Sequence, residues 1–237
     1  MVLTPRPVTT KYLILSAGIL AAVLRATRYA VGVDEKGLLI RNHWTGISVA
    51  ILCASVAALI ILLTRTMSGQ ATGSRRSVPA GLGAMTAALA VALCPVAGPA
   101  DPMSAAANLL RFPAALALIA VGLCRFTGKK PSFLLHCLFC LYLALRTVIQ
   151  YRIWSADPQY QDYCFYLLGH LALMGTAYQF AALDAGCGHL RRSWIAGLAT
   201  VFLCFAGCVG TGDILFPIGC ALWALTNLAS RPAREEP

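Results

Sequence analysis

Lys129-Lys130-Pro131-Ser132-Phe133-Leu134-Leu135-His136-Cys137-Leu138-Phe139-Cys140-Leu141-Tyr142-Leu143-Ala144-Leu145-Arg146-Thr147-Val148-Ile149-Gln150-Tyr151-Arg152 is the stretch that decides how this chain folds. From Pro131 to Leu145 it holds no Asp, Glu, Lys or Arg, and the apolar residues follow no two-residue alternation. A run of about 20 such residues matches the hydrocarbon core of a bilayer. Strands of a membrane barrel would instead alternate over about ten residues. In lipid a lone segment can satisfy its backbone only as a helix. The stretch therefore predicts a transmembrane helix, entered at a basic pair and closed by Arg146 and Arg152.

The same pattern recurs along the chain. Apolar segments fall near 12–30, 45–64, 80–97, 104–125, 131–152, 163–183, 194–209 and 213–229. Composition agrees: of 237 residues, 59% are apolar and only 12% charged, about half the charged share of a soluble domain. The fold expected is an all-α integral membrane protein, a compact bundle of about eight transmembrane helices. The last two segments are short, so a re-entrant hairpin is the alternative there. The first follows Arg6 and Lys11 as a signal peptide would, but is a full span long and reads as a retained helix.

The net charge of +10 would point to nucleic acid in a soluble protein. Here the basic residues lie between apolar runs, and no nucleic-acid partner is expected. Arg65, Arg75 and Arg76 join segments 2 and 3, Arg125, Lys129 and Lys130 join 4 and 5, and Arg191 and Arg192 join 6 and 7. The tails carry Arg6, Lys11, Arg231 and Arg234, whereas residues 98–103 and 210–213 hold no Lys or Arg. The alternation places both termini in the cytoplasm and the protein in the cytoplasmic membrane. The opposite side breaks the rule with Lys36 and Arg41, beside Asp34, Glu35, Asp101, Asp157, Asp162 and Asp213 as candidate partners for arginines.

Three landmarks repeat in order. Leu20-Ala21-Ala22-Val23-Leu24-Arg25 matches Leu141-Tyr142-Leu143-Ala144-Leu145-Arg146. Arg75-Arg76-Ser77 precedes the third helix as Arg191-Arg192-Ser193 precedes the seventh. Phe112-Pro113 lies early in the fourth as Phe216-Pro217 lies early in the eighth. A parallel 4+4 tandem repeat, with units 1–128 and 129–237 in one membrane domain, would produce this order.

Ionisable residues inside spans are costly, so they are where function is sought. At about 1.5 Å per residue, Arg25, Arg111, Arg146 and His170 fall in one layer roughly 8–10 Å below the outer face of a core about 30 Å thick. Gln150 and Asp213 lie close to it, as do Asn108 and Thr27. Guanidinium groups hold carboxylates and phosphates through paired hydrogen bonds. Arg25, Arg111, Arg146, His170, Gln150 and Asp213 are therefore the expected ligand-binding residues, for a small anionic solute or a lipid head group. The competing reading has the arginines reach the interface or pin loops through the acids.

Nine of the ten cysteines lie in or beside apolar runs, where the thiol packs as a small hydrophobe; Cys187 sits in a polar loop. They do not form a disulfide framework. Cys137-Leu138-Phe139-Cys140 has no second pair to complete a zinc site. His136 and His170 differ by about 12 Å in depth and cannot share a haem iron. Neither metal nor cofactor is expected, and no catalytic residue is assigned, since hydrolase, metalloprotease and phosphate-loop signatures are missing. The tyrosines and Trp154 around 151–163 suit a membrane interface. The expected function is a small-solute or anion-binding transporter or transport-accessory protein. The alternatives are a membrane enzyme acting on a lipid head group and a non-catalytic sensor or scaffold. A membrane-protein partner or a homo-oligomer is compatible with the small-residue-rich spans.

Overall fold

The computed structural model describes residues 7–32, 44–65, 76–98, 101–155, 164–209 and 213–230. Asp34, Glu35, Lys36, Arg41, Asp157, Asp162, Arg75 and the terminal arginines Arg6, Arg231 and Arg234 lie outside the described residues. Within them the chain is all-α, with eight helices: α1 Pro7–Val31, α2 Trp44–Arg65, α3 Val78–Leu93, α4 Pro102–Thr127, α5 Phe133–Trp154, α6 Cys164–Asp184, α7 Leu190–Gly207 and α8 Leu215–Ala229. Each apolar segment of the sequence becomes one helix.

Local chemistry sets the ends. Ser77 caps α3, its hydroxyl accepting the Ala80 N–H at 3.3 Å, with Pro79 in the first turn. Asp101 caps α4, its carboxylate accepting the Ser104 N–H at 2.7 Å, and Pro102 occupies the first turn. Both place an acceptor on otherwise unpaired amides and use proline where its missing N–H costs nothing. Gly128 closes α4 with φ +76°, a left-handed conformation that suits glycine.

The third segment ends sooner than its apolar run implies. The helix stops at Leu93, and Cys94 is extended (φ −99°, ψ 91°). Pro95 follows, and the residue before a proline is pushed out of the helical region. The Asn108 side chain of α4 then pairs with both backbone groups of Val96, accepting its N–H at 2.9 Å and donating to its carbonyl at 3.2 Å. The non-helical stretch is thereby satisfied inside protein, as a low-dielectric setting demands.

Helices α3, α4, α5, α6, α7 and α8 form a closed circuit of neighbours, with α3 against α8 completing it. Helix α1 packs outside this circuit on α7, and α2 packs on α1 and α7. Small residues permit the closest approaches: a methyl group on Gly219 of α8 would lie 2.5 Å from the Ala90 methyl of α3. Gly83 of α3 likewise abuts Thr226 of α8. Trp223 of α8 is fully buried inside the circuit, edge-on to Phe139 of α5 and Phe180 of α6 at 5.6 and 5.3 Å.

The outer surface is apolar. Leu109, Leu116 and Leu123 on α4 are exposed at seven-residue spacing, as are Leu134, Leu141 and Val148 on α5. Each series is a stripe about 21 Å long. Among the described residues, three helical stretches are long and apolar enough to cross a membrane: Tyr12–Val31, Pro102–Thr127 and Phe133–Trp154. They mark a membrane-embedded protein. Gly46–Leu62, Val78–Leu93 and Leu215–Ala229 are apolar but shorter.

Candidate functional site

Arg146 lies on the inward face of α5 and is fully buried. Its Nη1 donates to the Cys94 carbonyl at 3.0 Å and to the Tyr142 hydroxyl, one turn back on α5, at 2.9 Å. Its Nη2 donates to the Tyr166 hydroxyl of α6 at 3.0 Å and to the Asp213 carboxylate just before α8. Its Nε–H reaches the same Tyr166 oxygen at 3.3 Å. A guanidinium carries five N–H donors, and these contacts engage all five. The Phe216 ring lies 4.0 Å beneath the guanidinium carbon, adding a cation–π contact. One side chain thus ties α3, α5, α6 and α8 together.

Asp213 differs from the other partners in being 23% exposed, against 0% for Arg146. Its Oδ2 also faces the Tyr166 hydroxyl at 3.5 Å. The helices flanking it are short. Helix α3 has 16 residues and α8 has 15, about 24 and 22 Å long against a hydrocarbon core of about 30 Å. The C-terminus of α3 and the N-terminus of α8 meet beside Arg146. Interrupted or short helices that end at mid-bundle are a common construction for solute sites in transporters.

Of the other residues expected in this layer, His170 is adjacent. It stacks on Phe216 (centroids 5.2 Å, 15°) and tilts against Tyr166 at 4.2 Å. Its Nδ1 lies 2.9 Å from the Tyr166 carbonyl. The carbonyl has no proton to give, so Nδ1 donates, and the neutral ring presents Nε2 as an acceptor rather than an anion-binding donor. Gln150 is buried one turn beyond Arg146 on α5.

Arg25 and Arg111 are not brought to this cluster. Arg25 is buried, but donates to the Ala206 carbonyl near the end of α7 and lies 4.8 Å over Phe165. Phe165 and Tyr166 are consecutive on α6, and side chains a residue apart on a helix point about 100° apart. Arg25 and Arg146 thus share a depth but occupy different sides of α6. Arg111 is part-exposed on α4, its guanidinium 4.7 Å over the ring of its neighbour Phe112. Of the four residues expected in one layer, the structure brings Arg146 and His170 together, with Asp213 beside them, and leaves Arg25 and Arg111 elsewhere.

A second buried ionic cluster occupies the other end of the bundle. Arg125 near the end of α4 donates through Nη2 to both Asp184 oxygens, at 2.9 and 2.7 Å. Asp184 closes α6. His136 of α5 places Nε2 3.4 Å from Asp184 Oδ2 and sits beside Trp223. All three are at most 5% exposed. In the sequence Arg125 and Asp184 look like loop charges. The available signal was that each ends a long uncharged run at the same end of the bundle. His136 and Arg146, ten residues apart on α5, set the two clusters about 15 Å apart along the axis.

All ten cysteines are free thiols, with Cys164 and Cys187 exposed. Among the described residues no group of three or more His, Cys, Asp or Glu side chains is placed to hold a metal ion. No family model, no curated protein and no solved structure matches the chain.

Proposed function

We propose that this chain is a multi-pass protein of the cytoplasmic membrane, with eight spans and both termini cytoplasmic, that binds a small anionic solute at Arg146 in transport or in support of it. The observation that carries the reading is the pairing of a fully buried, fully bonded guanidinium with a carboxylate that solvent reaches. Asp213 stands where the carboxylate or phosphate of a ligand would stand. An incoming anion takes over the Nη2 donor and the Tyr166 hydroxyl while Asp213 swings toward water. Arg146 keeps its bonds to Cys94 and Tyr142 throughout, so its orientation is set before the ligand arrives. The low dielectric around it strengthens each remaining contact.

Binding of acetate and inorganic phosphate to purified protein, followed by calorimetry, tests the site. Asp213→Asn removes the competing charge and is expected to tighten anion binding at least tenfold, while Arg146→Gln abolishes it. If Asp213→Asn leaves anion affinity at or below the parent level, the exchange reading is wrong. Topology has its own test. Cys164 and Cys187 bracket α6 and are both exposed. An impermeant maleimide applied to intact cells should label Cys164 and spare Cys187. Labelling of both from one side contradicts a spanning α6.

A further inference from the structure

Between α6, α7 and α8 lies a cavity of about 10 Å³, lined by Tyr166, His170, Cys204, Gly207 and Phe216 among others. That is the room of one water-sized particle. Two of its lining residues, His170 and Cys204, carry chemically active side chains. His170 is 3% exposed, and its ring is held in place by the Phe216 stack and the Nδ1–H bond to the Tyr166 carbonyl. Its Nε2 is buried and has no hydrogen-bond partner. An unpaired buried acceptor is expensive, and the tautomer fixed by a carbonyl on Nδ1 is the one that prepares Nε2 to donate its lone pair to a metal. Cys204 of α7 is 4% exposed and a free thiol.

We propose that His170 Nε2 and Cys204 Sγ form a two-coordinate site for a cuprous ion. Imidazole and thiolate are both ligands that Cu(I) favours. Charge decides against the commoner divalent ions: thiolate, neutral imidazole and a monovalent cation sum to zero, whereas Zn²⁺ would leave a net positive charge in an apolar interior beside Arg146. Structural zinc also needs four ligands, more than the cavity offers, while Cu(I) is content with two. On binding, the Cys204 S–H bond breaks, an S–Cu bond forms, and the proton leaves to bulk water. The Nε2 lone pair completes the coordination. The ion enters and stays as Cu(I), so no electron is transferred. Neither Arg146 nor Asp213 lines the cavity, so copper binding is read apart from the anion exchange at Asp213.

The test uses detergent-purified full chain carrying Cys164→Ser and Cys187→Ser, which removes the exposed thiols. Cu(I) is titrated under ascorbate and without oxygen, in competition with a coloured cuprous chelator. One equivalent is expected to bind, with copper-edge absorption reporting one sulfur and one nitrogen ligand. Cys204→Ser and His170→Gln should each weaken binding by more than the roughly 10–100-fold that losing a ligand's supporting partner costs. Cys220→Ser, which removes a fully buried thiol outside the cavity lining, and Asp213→Asn should leave it unchanged. Thermal unfolding of each variant without copper separates loss of the ligand from loss of the fold. The proposal is overturned if no copper binds, if a folded Cys204→Ser variant binds as the parent does, or if the absorption spectrum contains only sulfur neighbours.

Discussion

Asp213→Ala is the most informative single perturbation of this protein. It leaves the Arg146 guanidinium, 0% exposed, with its other bonds intact but its charge unpaired. Breaking a buried ion pair by removing one partner costs about 3–5 kcal/mol. Asp213 is 23% exposed, so water can reach the vacated position, and about 3 kcal/mol is the appropriate end of that range. For a chain of this length each kcal/mol moves the melting temperature by about 2–4 °C. The expected fall is therefore about 6–12 °C in a fluorescence melt of purified protein. Acetate should then refill the site. At ten times its dissociation constant, a ligand that binds only the folded state restores about 1.4 kcal/mol, or about 3–6 °C. Chloride at equal ionic strength controls for screening. Arg152→Ala, which breaks the exposed Arg152–Asp101 pair at 3.0 Å, should be insensitive to acetate. Replacing both partners, as Arg146→Met with Asp213→Ala, should cost less than the single Asp213 change, because no unpaired charge is left. A melt that drops as expected but ignores acetate makes the pair a structural tie alone. A melt that does not drop refutes the energetic reasoning itself.

Other consequences can be checked with the same assay. Asp184→Asn strips Arg125 of its carboxylate and should cost about 3–5 kcal/mol, whereas His136→Phe, which removes the ring nitrogen 3.4 Å from Asp184 Oδ2, should cost less, because Arg125 keeps both of its bonds to that carboxylate. Gly83→Val should prevent α3 and α8 from closing on each other and lower the yield of folded protein. Gly175→Ala, with nothing within 4 Å of the new methyl, should instead stabilise α6 by about 0.5–1 kcal/mol. The Asp101 carboxyl is held below the usual carboxylate range by the Ser104 backbone N–H, aided by Arg152. A carboxyl with a lowered folded-state pKa stabilises the fold above its unfolded pKa of about 3.9, and loses that contribution as pH falls through the lowered value. Asp101→Ala should therefore flatten the acid limb of the stability profile and leave the neutral region's slope unchanged.

The number and order of the helices were legible in the amino-acid sequence, and their bounds to within about five residues. Lipid leaves an apolar run no conformation but a helix, so charge-free segments could be read as elements with little ambiguity. Several ends moved by a few residues; the one at Leu93 was moved by a local residue, Pro95, together with a partner 12 positions from Val96, Asn108. The neighbourhood of Arg146 with His170 and Asp213 was also readable, because rise per residue is fixed.

Azimuth was not. A soluble helix announces its buried face by a polar stripe opposite, but α5 and α6 are apolar nearly all round, and their sequences do not say which way they face. Depth alone put Arg25 and Arg146 in one site; the rotation of α6 sends Phe165 to one and Tyr166 to the other. The same ignorance hid Arg125, Asp184 and His136, which share an end of the bundle but meet only because α4, α5 and α6 are consecutive neighbours in the helix circuit. The amino-acid sequence determined that this chain is a set of helices with charges at given heights. Only the packing decided which charges face one another, because in an apolar surround that choice is made by small-residue contacts and paired polar groups rather than by any pattern along a single helix.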